Sequence, residues 1–202
     1  MVESTIFYYQ READNFIRET LTVNMEALYK PFLSHLPANA EILDAGCGSG
    51  RDSLIFRERG YQVTAFDACP ALASFAAKHS GIEVTCQRFE DIDWLDRFDG
   101  IWACASLLHV SKIDLNSVFH RLGFALKPGG VLYASFKYGQ GEREHRERWF
   151  TDLDEAGLAD VLTEVPTLTL DSTWVTPDQR PGRDQEYWLN VLALRPTHVT
   201  IL

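Results

Sequence analysis

The segment Glu41-Ile42-Leu43-Asp44-Ala45-Gly46-Cys47-Gly48-Ser49-Gly50 leaves this chain the fewest choices: a short apolar run, a carboxylate, then glycine at every second position. Glycine lacks Cβ and takes positive φ, so such a main chain turns sharply and lets a ligand approach its backbone. Arg51 to Arg59 contains no breaker and groups Leu54, Ile55 and the stem of Glu58 near one face, which predicts a helix stopped by Gly60. Tyr61-Gln62-Val63-Thr64-Ala65-Phe66-Asp67 then alternates apolar and polar residues and ends on a carboxylate, a second strand. Together these make a βαβ unit.

An acidic residue about 20 positions beyond a glycine turn, at the tip of the second strand, suits a bidentate grip on vicinal ribose hydroxyls. Asp67 stands there. The same carboxylate could instead cap the helix opening near Pro70, since Asp is a good N-cap and Pro favours the first turn. Spacing then separates two cofactor classes. A dinucleotide loop runs Gly-x-Gly-x-x-Gly and aims a helix N-terminus at a pyrophosphate; here the order is Gly46-x-Gly48-x-Gly50, with Asp44 ahead of it.

That string resembles the first motif of the class I S-adenosylmethionine-dependent methyltransferases. Phe89-Glu90-Asp91, Phe98-Asp99-Gly100-Ile101-Trp102-Ala103 and Leu126-Lys127-Pro128-Gly129-Gly130-Val131-Leu132 resemble that family's later motifs in the same order. The likeness runs over residues 5 to 195. Gly50-Arg51-Asp52-Ser53-Leu54 and Ser106-Leu107-Leu108-His109-Val110 are similar to its small-molecule branch, which includes tellurite-resistance-type methyltransferases.

The resemblance implies an α/β, three-layer Rossmann-like fold: a mostly parallel seven-stranded sheet whose last strand is antiparallel. It implies one domain over 1–202, with residues 1–37 a helical cover and 38–202 the core with a C-terminal hairpin. The implied cofactor is S-adenosyl-L-methionine, with S-adenosyl-L-homocysteine as product. This ligand carries no phosphate and needs no basic loop. By the same resemblance Asp44 faces the methionine ammonium, or bonds the loop amides, while Gly46, Cys47, Gly48 and Gly50 close on the tail and ribose. Cys47 has no paired base and reads as a small filler rather than a nucleophile. Arg51 either reaches the methionine carboxylate or stands solvated at the helix start. Asp67 and Ala68 meet the ribose side, and Phe89 and Glu90 the adenine edge. Tyr9, with Tyr8, either approaches the methyl donor or packs the cover helix. Ala105, Ser106 and His109 fall beside the transferable methyl.

Methyl transfer is an in-line displacement that needs alignment and water exclusion, and a base only if the acceptor carries a proton. His109 is the base candidate, because imidazole titrates near neutrality; a structural role is the alternative. Arg180 and Arg183, with Trp174 and Trp188, are the candidates for acceptor recognition. Arg143, His145, Arg146 and Arg148 either gather an anionic acceptor or, since Glu142, Glu144 and Glu147 interleave with them, form a solvated surface run, which is the favoured reading.

Elsewhere, apolar spacings of three and four predict one or two helices between Tyr8 and Leu36, ended by Pro37. A helix over Pro70–His79, a strand over Ile82–Cys86, a buried strand over Asp99–Ala105, a helix over Asp114–Leu126 and a strand over Val131–Phe136 follow. Lys137 to Trp149 reads as an exposed connection and Thr151 to Leu162 as a helix capped by Thr151. Strands near Leu162–Leu170 and Tyr187–Leu194 flank a loop from Val175 to Asp184.

Composition narrows the partners. With 202 residues, 46% of them hydrophobic, one continuous core is expected. Nineteen Lys plus Arg against 29 Asp plus Glu give a net charge of −10, which works against DNA, RNA and anionic membranes as partners. Cys47, Cys69, Cys86 and Cys104 form no Cys-x-x-Cys pair, so no metal site is read. Reduced thiols, no signal peptide in Met1–Thr5 and no long apolar run point to the cytoplasm. The expected activity is methyl transfer to a small soluble acceptor. A non-catalytic S-adenosylmethionine-binding sensor or partner module stands as the alternative. An NAD-dependent oxidoreductase is disfavoured by the loop spacing and by the lack of a downstream Tyr-x-x-x-Lys.

Overall fold

The computed structural model describes residues 3–197. Helices α1 (Glu3–Thr20) and α2 (Glu26–Leu33) precede β1 (Glu41–Ala45), whose apolar run is buried. Next come α3 (Arg51–Glu58), β2 (Gln62–Asp67), α4 (Pro70–Ser80), β3 (Val84–Cys86), β4 (Phe98–Ala103), α5 (Lys112–Ala125) and β5 (Leu126–Lys137). The chain closes with β6 (Gly141–His145), β7 (Arg148–Asp152), α6 (Glu155–Thr163), β8 (Thr169–Pro177) and β9 (Tyr187–Leu194).

Seven strands form one sheet in the order β3-β2-β1-β4-β5-β9-β8. All neighbours from β3 to β5 are parallel, and β9 runs antiparallel to both β5 and β8. Register sorts the side chains into two layers. Leu43, Ile101 and Leu132 share one face, with Phe119 and Leu122 of α5 and Leu158 of α6 in the same cluster. Asp44, Trp102 and Tyr133 share the other, beneath Phe32 of α2 and Phe56 of α3. Trp102 stacks on Tyr133 with ring centroids 3.9 Å apart. A Cβ at Gly100 would lie 2.8 Å from Phe32, so α2 rests directly on β4.

Chain order reverses between β1 and β4, and a crevice opens there at the carboxyl ends of parallel strands. The Asp44-to-Gly50 loop and the tip of β2 both face it.

Three local expectations fail in the last third. Lys137 to Trp149 is no open connection: β6 pairs antiparallel with β7 around a two-residue turn. Every residue of β6 is exposed, so no apolar alternation betrays it. Thr151 caps no helix; it lies buried in β7 and donates to the Val110 carbonyl at 2.7 Å. Asp154 caps α6 instead, accepting from the Gly157 amide at 2.8 Å. Leu162 to Leu168 ends α6 and fills the core through Val165 and Leu168, and the strand begins only at Thr169.

Candidate functional site

The three glycines take φ of 77°, 56° and 72° at Gly46, Gly48 and Gly50. Each has a different reason to lack a side chain. A Cβ at Gly46 would sit 2.5 Å from Ser106 Cβ, one at Gly48 3.0 Å from the Phe16 ring, and one at Gly50 2.9 Å from Ala76. Gly50 is thus a packing position between the loop and α4, and it does not line the cavity. The amides of Gly46 and Cys47 both donate to the Phe66 carbonyl at 2.9 Å, locking the loop to β2.

Asp67 ends β2 and accepts from the Gly48 amide at 2.9 Å and the Cys69 amide at 2.8 Å. One carboxylate therefore holds the glycine loop and the turn into α4 together. Burial pushes its pKa up to about 6 against the pull of those two amides.

The cavity in the crevice measures about 540 Å³, within the range of small-ligand sites. Gly46, Cys47, Gly48, Asp67, Ala68 and Phe89 line one end. Sequence reasoning missed Ser49, Cys69, Leu72 and Gln87 beside them. Leu72 carried a signal, since it falls on the first turn of α4 after Asp67. Phe89 is buried edge-on to Phe66, with centroids 5.2 Å apart. Glu90 lies outside the lining. Helix α1 roofs this end with Tyr9, Phe16 and Thr20.

Below the loop lies a buried charge network. Arg51 grips Asp52 through two nitrogens at 2.6 and 2.9 Å and donates to the Thr20 carbonyl at 3.2 Å. Its side chain is 17% exposed, which overturns a solvated helix-start arginine. Asp52, unremarked in the sequence, also accepts from Tyr29 at 2.5 Å and Trp102 Nε1 at 2.7 Å. Burial favours its neutral acid, but Arg51 and these donors prevail and hold the pKa below the usual carboxylate value. Asp44 accepts from the Ser53 hydroxyl at 2.5 Å rather than from loop amides. Burial first, and the Asp52 charge second, push its pKa up. The Arg51 charge pulls the other way without prevailing, so burial favours the neutral acid at Asp44.

His109 follows β4 in a short 3₁₀ turn and is buried. Its Nδ1 lies 2.6 Å from the Trp149 carbonyl, which can only accept, so Nδ1 carries the proton. Nε2 then accepts from the Tyr9 hydroxyl at 2.9 Å. Burial holds the imidazole pKa down at about 4, against the pull of the Trp149 carbonyl, so the ring is neutral. Ala105 sits at φ 53°, its amide donating to Ser135 Oγ at 2.8 Å, and Ser106 Oγ donates to the Ala45 carbonyl at 2.7 Å. Both line the cavity next to His109.

At the other end stand Arg180 and Arg183, each already matched by carboxylates. Arg180 forks onto Asp178 at 2.9 and 2.5 Å, and Arg183 meets Glu19 of α1 at 3.1 Å. Trp188 lines the cavity, donating to Asp178 at 3.0 Å, whereas Trp174 lies outside it. Arg143, His145, Arg146 and Arg148 also line this end. Arg143, His145 and Arg146 are exposed, as a solvated run requires, while the β6–β7 hairpin places all four at the cavity mouth and leaves Arg148 partly buried there.

Among the described residues, no group of three His, Cys, Asp or Glu is placed to hold a metal. None of their helices is long and apolar enough to cross a membrane.

Residues 42–130 match the Methyltransferase domain family. A ubiquinone biosynthesis O-methyltransferase of Xanthomonas axonopodis pv. citri (strain 306) is 37% identical over 106 residues, 49% of this chain and 44% of that protein. The chain thus spans less than half the length of the curated relatives it matches first. Among solved structures, the Burkholderia thailandensis 1,6-didemethyltoxoflavin-N1-methyltransferase, bound to its substrate and S-adenosylhomocysteine, superposes with a TM-score of 0.78 at 25% identity. The match covers 96% of this chain and 87% of that one. A TehB-like S-adenosylmethionine-dependent methyltransferase of Corynebacterium glutamicum shares the fold, with a TM-score of 0.68 at 18% identity over 94% and 98% of the two chains.

Proposed function

We propose that this chain, a class I S-adenosylmethionine-dependent methyltransferase by fold and domain match, transfers a methyl group from S-adenosylmethionine to a small soluble acceptor by in-line displacement. One observation carries the reading. A loop of three positive-φ glycines, tied to the Asp67 carboxylate, heads a 540 Å³ cavity at the point where strand order reverses.

The residues fit that cofactor. Asp67 exchanges its two amide bonds for ribose hydroxyls. Ala68, Cys69, Leu72 and Phe89 offer an apolar bed for adenine, with Gln87 as the polar edge. Asp44, buried and without an ion pair among the described residues, suits the methionine ammonium, whose charge lowers its pKa again. Arg51 reaches the methionine carboxylate from its place on Asp52. Glu90 acts at one remove, through the short turn that seats Phe89. When bound, the cofactor supplies an electrophilic methyl on a sulfonium.

His109 lines the cavity beside Tyr9 and takes its proton through Tyr9, whose hydroxyl already donates to Nε2. The acceptor's proton passes to Tyr9 oxygen as the Tyr9 proton passes to Nε2. So weak a base suffices for a hydroxyl acceptor, because oxygen becomes strongly acidic as it gains the methyl. Arg180 and Arg183 shape the acceptor end, with their charge matched inside the protein.

Incubation with methyl-labelled cofactor and a metabolite extract, followed by mass spectrometry, tests the proposal; labelled products are expected. Binding of S-adenosylhomocysteine with no labelled product from any extract would favour a sensor. No binding of either form would overturn the reading altogether.

A further inference from the structure

We propose that the methyl acceptor carries an anionic planar group, a carboxylate, and that Arg148 is the residue that recognises it. The proposal rests on the methyltransferase reading and deepens it by naming the acceptor's charge.

The cations around the acceptor end are mostly spent. Arg143 forks onto Asp152 at 2.5 and 3.2 Å, Lys137 is held by Asp178 and Glu186, Arg180 by Asp178 and Arg183 by Glu19. Arg148 differs. Among the described residues no salt bridge joins it to a carboxylate, which is true also of the exposed Arg146, but Arg148 is partly buried and its Nε is buried with no hydrogen-bond partner. Its neighbours are rings: the guanidinium carbon lies 4.5 Å from the Tyr8 centroid, 5.1 Å from Phe150 and 5.9 Å from Tyr9. Aromatic faces attract the cation but leave its Nε–H without an acceptor, while the guanidinium also hydrogen-bonds the Tyr9 oxygen. A guanidinium stays charged under all ordinary conditions, and a buried donor without an acceptor costs free energy until something accepts from it. A carboxylate entering the cavity meets the terminal end of this guanidinium and makes a charge-assisted contact there.

The backbone that carries Arg148 is fixed rather than adaptable. The next residue, Trp149, accepts from His109 through its carbonyl and donates its amide to the Thr5 hydroxyl oxygen, 2.9 Å away. The turn just before it places Arg146 and Glu147 at φ 50° and 62°, a left-handed pair without a glycine. Residues held so cost roughly 1–3 kcal/mol each and persist where the surroundings impose them. The strained hairpin thus delivers Arg148 beside Tyr9, and so beside the place where the acceptor's nucleophile must stand. An anion there also complements the positive charge of a sulfonium donor.

Calorimetry with benzoate and benzamide as matched probes, on protein with and without S-adenosylhomocysteine, tests this. Benzoate should bind at least about tenfold more tightly than benzamide, the scale of one charge-assisted contact. Arg148→Gln should abolish that preference and Arg148→Lys should retain part of it, while both keep the wild-type affinity for S-adenosylhomocysteine, which also shows that they fold. Equal binding of the two probes, no benzoate binding, or an undiminished preference in Arg148→Gln overturns the proposal. Failure of S-adenosylhomocysteine to bind would instead strike the methyltransferase reading, and the arms without it still report on the anion site. Anion-exchange behaviour of labelled products gives a second readout: retained products support the proposal, and neutral or cationic products overturn it.

Discussion

His109 shows how one side chain's surroundings decide its chemistry. A histidine at a strand end invites a general base near neutrality, yet a carbonyl on Nδ1 and a phenol on Nε2 make this one a buried neutral ring, for which we propose a relay role. His109→Gln should lower turnover by about 10²-fold while leaving S-adenosylhomocysteine affinity nearly unchanged. Unchanged turnover in the variant would exclude the relay. The same burial has a second consequence for stability. The folded pKa of about 4 lies below the ordinary 6.5, so between those values the unfolded chain binds a proton that the native state refuses. This contribution is present above pH 6.5 and is lost as pH falls towards 4, amounting to roughly 3 kcal/mol. Urea titrations from pH 7 to 4 should show a shallower acid limb in the Gln variant. Asp67 opposes it in the wild type: its raised pKa of about 6 makes stability fall as pH rises towards that value.

Among the elements, the β6–β7 hairpin and α1 depend on each other. Exposed ion pairs link α1 to its neighbours, Arg11 to Glu147 at 2.5 Å and Glu19 to Arg183 at 3.1 Å, and each contributes little in water. Firmer ties are Phe16 over Gly48 and Thr5 under Trp149. Because the turn is strained, Glu147→Gly should stabilise the protein by about 1 kcal/mol despite losing the Arg11 pair. Scanning calorimetry should show the melting point rising by about 2–4 °C. An unchanged or lower melting point would mean that the left-handed turn costs nothing. This hairpin was illegible beforehand because alternating charge on a fully exposed strand looks like any solvated segment. The βαβ unit was legible because its glycines, helix face and terminal carboxylate each impose the same answer.

Across the whole molecule, a sheet whose order reverses between β1 and β4 brings residues 9, 44, 67, 109 and 148 around one cavity. A ligand that bridges such distant segments stabilises the native state as one unit. S-Adenosylhomocysteine at about 100 times its dissociation constant should add roughly 2.7 kcal/mol and raise the melting point by about 5–10 °C. NAD should give no shift, and a response to NAD alone would reverse the cofactor assignment.

Sequence by itself determined the glycine loop, the carboxylate at each strand tip and the parallel core. Those depend on backbone freedom and local periodicity, which neighbouring residues settle among themselves. Tertiary structure alone decided that Asp52 is the hub of a buried network, that Gly50 packs rather than binds, and that Arg148 faces rings instead of carboxylates. Charge partners across 23 to 140 positions depend on which faces the sheet brings together, and no local pattern in the chain records that.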